Sequence, residues 1–191
     1  MEEKQKKILQ WVLTGIMGVG LVLIIVGMFL GLAHSEQLKL TYKLVGDEKW
    51  KLHELMTNEI IKQAPDTKNM FDSEYSYSST FTVISFAIAI VGTVMLILNS
   101  VLKNVLHKNI KVLGVSAVLL TVIGAVMIMV AGYGLASNLG KLYWYYADPE
   151  KKVLTTDPQY FSAGAGIYLG LVGGILPAVA AVVSGIKAFK D

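Results

Sequence analysis

The sequence predicts an all-α membrane bundle: four transmembrane helices with a small extracytoplasmic α/β cap made of a short sheet plus one amphipathic helix. Three observations predict it. Of 191 residues, 54% are hydrophobic and only 16% are charged, against about 25% charged in a soluble domain. The missing charge is not spread evenly but leaves four long runs entirely. The two longer segments between those runs are polar and patterned. This composition excludes a disordered chain, a nucleic-acid-binding module and a soluble enzyme.

The first run is Ile8 to Ala33. At about 1.5 Å per helical residue it covers roughly 39 Å, more than the ~30 Å hydrocarbon core. The others are 81–102, 112–135 and 161–186, and none of the four holds Asp, Glu, Lys or His. As a helix each closes its own backbone hydrogen bonds, which lipid requires. Lys4, Lys6 and Lys7 before the first run, and Gly31-Leu32-Ala33 at its end, imitate a signal peptide. The run exceeds the usual apolar stretch of about 7–15 residues, so it is read as an uncleaved anchor.

Orientation follows from the short flanks, because lysines collect on the cytoplasmic face. Lys4, Lys6 and Lys7 precede the first span. Lys103, Lys108 and Lys111 surround the second link, which has no acid, and Lys187 and Lys190 follow the last span. Residues 1–7, 103–111 and 187–191 are therefore expected in the cytoplasm, with 34–80 and 136–160 outside. The expected location is the plasma (cytoplasmic) membrane, multi-pass, both termini inside. The chain has no cysteine, which excludes disulfides and thiolate chemistry. It has no arginine either, so no guanidinium fork is available for a phosphate or carboxylate. The lack of Cys and of Asn-x-Ser/Thr outside the membrane points to a prokaryotic cell.

The first outer segment carries the clearest pattern. Leu38, Leu40, Tyr42 and Leu44 alternate with polar residues, which predicts a strand over 38–45. Leu52, Leu55, Met56 and Ile60 recur at helical spacing, which predicts an amphipathic helix over 48–63, stopped by Ala64-Pro65-Asp66. In the second outer segment, Leu142–Tyr146 and Lys152–Thr156 flank Asp148-Pro149-Glu150. One reading is a hairpin that pairs with the 38–45 strand. The other is a third helix continued to Tyr146 as an interfacial aromatic belt.

Four spans, inner termini, a large first outer segment and a smaller second one resemble the claudin-like tetraspan membrane proteins. The resemblance covers the whole chain as topology. It implies a small outer sheet drawing on both outer segments. Trp50 stands in the first segment without a Gly-Leu-Trp neighbourhood, and the paired cysteines are absent, so no functional residue carries over.

Several motifs are candidate sites. Gly166, Gly170 and Gly174 form a glycine zipper in the fourth span, and Gly27 and Gly31 a second small-residue pair in the first. Glycines four apart let a neighbouring backbone come close. They are read as helix-packing or oligomer-interface positions. Pro177 removes a backbone donor in mid-span and is expected to kink the helix near Gly173-Gly174. Tyr143, Trp144, Tyr145 and Tyr146 form an aromatic patch of the kind found at protein contacts.

The polar residues that stand out inside the runs are Gln10, Thr14, Ser85, Thr93, Ser116, Thr121 and Ser184. Hydroxyls can bond back to their own helix. Pumps and proton relays ordinarily need an intramembrane carboxylate, His or Lys, and the runs hold none. His53-Glu54 begins like a zinc-protease helix, but Thr57 occupies the position of the second His. His34 and His107 fall at membrane boundaries and are expected to be solvated.

These readings predict a non-enzymatic tetraspan subunit without catalytic residue, metal or cofactor. Its partners are expected to be the lipid bilayer and either itself, as a homo-oligomer, or another membrane or envelope protein, with no nucleic acid. The alternative is an oligomeric channel or pore-forming subunit lined by small and hydroxyl residues.

Overall fold

The computed structural model describes residues 3–35, 40–45, 68–106, 110–147 and 162–188. The order is α1 (Glu3–Phe29), β1 (Gly31–Ser35), β2 (Leu40–Lys43), α2 (Lys68–Leu106), α3 (Lys111–Ala147), β3 (Ser162–Ala163) and α4 (Ala165–Ala188). The described part is mostly helical, with a three-stranded sheet. Four helical segments are long and apolar enough to cross a membrane: Lys4–Phe29, Thr80–Leu106, Lys111–Ser137 and Ala165–Gly185. They make this a multi-pass membrane protein by length and composition. The 48–63 helix and the Lys152–Thr156 arm lie outside the described residues.

Several boundaries differ from the sequence reading. The first helix stops at Phe29, and Gly31–Ser35 form a strand instead of the end of a span reaching Ala33. Gly31, Leu32 and Ala33 are as apolar in a buried strand as in a membrane helix, so hydropathy does not register the change. The second helix begins at Lys68, well before the uncharged run at 81. The third continues to Ala147, so Leu142–Tyr146 is helix and not the first arm of a hairpin. The sheet takes its third strand instead from Ser162–Ala163, at the start of the fourth uncharged run.

The chain divides into two compact units. The first comprises Met1–Val26, Ser85–Ile128 and Leu169–Asp191, and so takes a piece of every long helix. Small residues bring its helices together in antiparallel pairs. Between α2 and α3, a Cβ on Gly124 would lie 2.5 Å from the Ala89 nitrogen, and one on Gly92 would lie 2.6 Å from the Thr121 nitrogen. Here backbone meets backbone. Between α1 and α4, a Cβ on Gly173 would lie 2.7 Å from the Gly20 carbonyl oxygen and 2.8 Å from the Ile24 nitrogen. Without a hydrophobic force to drive apolar helices together in lipid, such close approach is what gives helices their dispersion contact. Leu13, Met17, Leu96, Ala117 and Ala180 form a buried cluster drawn from all four helices.

The second unit comprises Gly27–Ile84 and Met129–Tyr168. Its sheet has the order β2-β1-β3, with both pairings antiparallel. Ala33, His34 and Ser35 face Tyr42, Thr41 and Leu40, whereas Gly31 faces Lys43, so Leu32 is an extra residue in β1. A bulge of this kind breaks the strict alternation of a strand. It lets successive residues Leu32 and Ala33 both be fully buried. Tyr42 in β2 and Leu44 just past its end are buried while Thr41 and Lys43 are half-buried, so the core face is the one marked by alternation. The Gly164 amide donates to the Leu32 carbonyl at 2.8 Å, and the Ile167 amide then donates to the Gly164 carbonyl at 3.1 Å, which opens α4.

Candidate functional site

In the first unit, Gly170 faces α2 and α3: a Cβ there would meet Ile128 Cγ2 at 3.0 Å and Phe86 Cε1 at 3.1 Å. Gly174 faces α3, with Ala125 Cβ at 2.6 Å from the same hypothetical atom. Gly173, between them, faces α1. In the second unit, Gly166 lies against the Gly27 carbonyl and Leu32, while Gly31 lies against Thr41. Gly166, Gly170 and Gly174 are all buried by their own chain. In the first unit Gly170 and Gly174, four apart, share α3 as a neighbour.

Pro177 has a packing role. A Cβ on Gly20 would fall on the Pro177 ring and lie 2.6 Å from the Gly173 carbonyl oxygen. That carbonyl is the one whose helical donor proline removes. The bare Gly20 Cα therefore fits against both the ring and the freed oxygen, a geometry suited to a weak C–H···O contact. The helix is unbroken across Pro177.

Three hydroxyls of the first unit serve their own helices. Ser116 donates to the Val112 carbonyl at 2.7 Å and Thr121 to the Ala117 carbonyl at 2.8 Å. Thr14 donates to the Gln10 carbonyl at 2.9 Å. Its only proton thus committed, Thr14 accepts from the Ser100 hydroxyl at 2.6 Å and from Asn104 Nδ2 at 3.4 Å. This node joins α1 to α2, with Asn104 buried. The Asn99 Oδ1 and Thr93 Oγ1 atoms are buried without a hydrogen-bond partner. Asn99, Ser100 and Asn104 were not among the residues that stood out in the sequence, since they sit where an uncharged run gives way to its basic flank. The available signal was their clustering with Lys103 within six residues, Asn99 to Asn104.

In the second unit, His34 Nδ1 and Thr41 Oγ1 lie 2.9 Å apart across the β1–β2 pair. Ser162 donates to the His34 carbonyl at 3.3 Å. His34 is half-buried in the sheet, not the solvated boundary residue that its sequence position suggested. The Tyr133 and Tyr168 hydroxyls join α3 to α4 at 3.1 Å. Tyr143, Trp144, Tyr145 and Tyr146 lie on the last turns of α3, and their side chains are outside the described part. Among the described residues, no three His, Asp or Glu side chains come together. What the described geometry offers is donors, acceptors and close backbone contact.

No known protein family, curated protein or solved structure matches the chain.

Proposed function

We propose that this chain is a non-enzymatic tetraspan subunit of the plasma membrane, with both termini cytoplasmic, that binds itself or another membrane or envelope protein. The observation that carries the reading is where the polar groups go. The four runs contain no Asp, Glu, Lys or His, and Thr14, Ser116 and Thr121 bond to backbone within their own helices. Spans built this way anchor and pack. Meanwhile the sheet joins β1 at the end of the first run, β2 in the first polar segment and β3 at the start of the fourth run.

The reading puts the association surface in the outer segments, and the zipper glycines make close contacts within the chain. Within those segments Tyr143, Trp144, Tyr145 and Tyr146 are the densest aromatic group. Replacing all four with Ser is expected to abolish self- or partner association in a mild-detergent pull-down with mass measurement, with insertion and melting temperature retained. Aromatic anchors are each worth about 2 kcal/mol or more at an interface. Unchanged association in that variant removes the aromatic group from the account.

A further inference from the structure

The first unit contains a cavity of about 560 Å³ near its lysine-bearing end, a size in the range of small-molecule sites. Its chemistry is divided. Met17, Leu96, Val118 and Ala181 supply apolar wall. Asn99, Ser100, Ser184, Lys103 and Lys111 supply polar lining, and no acidic residue is among the described lining residues. Lys103 and Lys111 bracket the short α2–α3 link, which places them at headgroup depth. Two cations beside apolar wall complement an anionic amphiphile. A second observation narrows the class. Asn99 Oδ1 is buried with no partner, while the amide nitrogen of the same side chain sits over Gly114, 2.8 Å from where a Cβ would be. A buried acceptor left unpaired is destabilising, so an occupant that supplies a donor there is favoured.

We propose that this cavity binds an anionic glycerophospholipid whose headgroup carries a hydroxyl. The phosphate lies by Lys103 and Lys111, as in other basic pockets between membrane helices. A headgroup hydroxyl donates to Asn99 Oδ1, and the start of an acyl chain runs along Met17, Leu96 and Val118. Lysine suits this role as a point charge for phosphate, without the directional fork that arginine would bring.

The test uses the full chain purified in mild detergent, depleted of lipid, then mixed with phosphatidylglycerol, phosphatidylmethanol or phosphatidylcholine. Bound lipid is counted by native mass spectrometry. Phosphatidylglycerol is expected to be retained about tenfold better than phosphatidylcholine and several-fold better than phosphatidylmethanol, which has the charge but no free hydroxyl; two bidentate-free charge contacts of about 0.7 kcal/mol each amount to such a tenfold ratio. Lys103→Gln with Lys111→Gln should remove the first preference, and Asn99→Leu the second. Gly185→Trp separates the cavity from general surface charge. A Cβ on Gly185 meets nothing within 4 Å, so the indole enters the cavity with both lysines still present, and phosphatidylglycerol retention should fall to the phosphatidylcholine level. Equal retention of the three lipids by the unaltered chain overturns the proposal. So does full phosphatidylglycerol retention by Gly185→Trp or by the double lysine variant.

Discussion

Gly20→Leu is expected to lower the melting temperature of the detergent-solubilised chain sharply, whereas Gly15→Leu and Gly18→Leu on the same helix leave it nearly unchanged. All three glycines lie in the apolar part of α1, so composition does not distinguish them. Geometry does. Cβ atoms on Gly15 and Gly18 meet nothing within 4 Å, while one on Gly20 falls on the Pro177 ring and lies 2.6 Å from the Gly173 carbonyl oxygen. Neither obstacle is the far end of a flexible side chain. Overpacking costs about 1–3 kcal/mol where side chains can give way, and here the two helix axes must part, so the effect belongs at or above the top of that range. Gly170→Leu should cost less, because its obstacles are the side chains of Ile128 and Phe86. Melting measured by tryptophan fluorescence across the four variants checks the ranking. Equal melting of Gly20→Leu and Gly18→Leu would show that α1 and α4 are not in backbone contact.

The second large effect is expected at Tyr42. It is fully buried, the largest such side chain among the described residues, and it pairs with Ala33 in the register of β1 and β2. Removing a large buried aromatic side chain costs about 3–5 kcal/mol, through lost contact plus the cavity left behind. Only a few paired residues hold this sheet, so that cost is enough to open it. Tyr42→Ala should abolish amide-exchange protection over residues 31–35 and 40–43. Tyr42→Phe, which keeps the ring volume, should retain most of it. Unchanged protection in Tyr42→Ala would mean that the strands are held by backbone pairing alone.

What could be read from the sequence, and what could not, follows physical lines. Four membrane-length helices show because lipid admits no charge, and that exclusion is written into composition. The inward face of β2 shows because Tyr42 and Leu44 alternate with Thr41 and Lys43. The end of α1 does not show. Gly31, Leu32 and Ala33 are apolar on either side of the boundary, and the bulge that turns both Leu32 and Ala33 inward erases the alternation that would mark a strand. Leu142–Tyr146 misleads for a related reason: a short apolar and aromatic run fits strand and helix alike, and only the continuity of α3 decides between them.

The site residues divide in the same way. Glycine spacing identifies Gly166, Gly170 and Gly174 as small, but not what each one meets. That depends on where α1, α2 and α3 pass. Gly20 carries no local motif, since its partner is Pro177, far along the chain. Asn99 and Ser100 likewise gain meaning only when Thr14 and Gly114 come beside them.

The claim that this chain works by contact, and not by conduction, is tested most directly by flux. The purified chain, reconstituted alone in liposomes at matched protein-to-lipid ratio, should release neither trapped potassium nor a small dye faster than empty vesicles. It should do so under an applied potential of either sign, and equally for the Tyr143, Trp144, Tyr145, Tyr146→Ser variant. That expectation rests on runs without Asp, Glu, Lys or His and on the close contacts of Gly20 with Pro177 and of Gly124 with Ala89. Flux above background from the unaltered chain, abolished by Gly170→Leu or Gly174→Leu, would contradict the account and establish the pore.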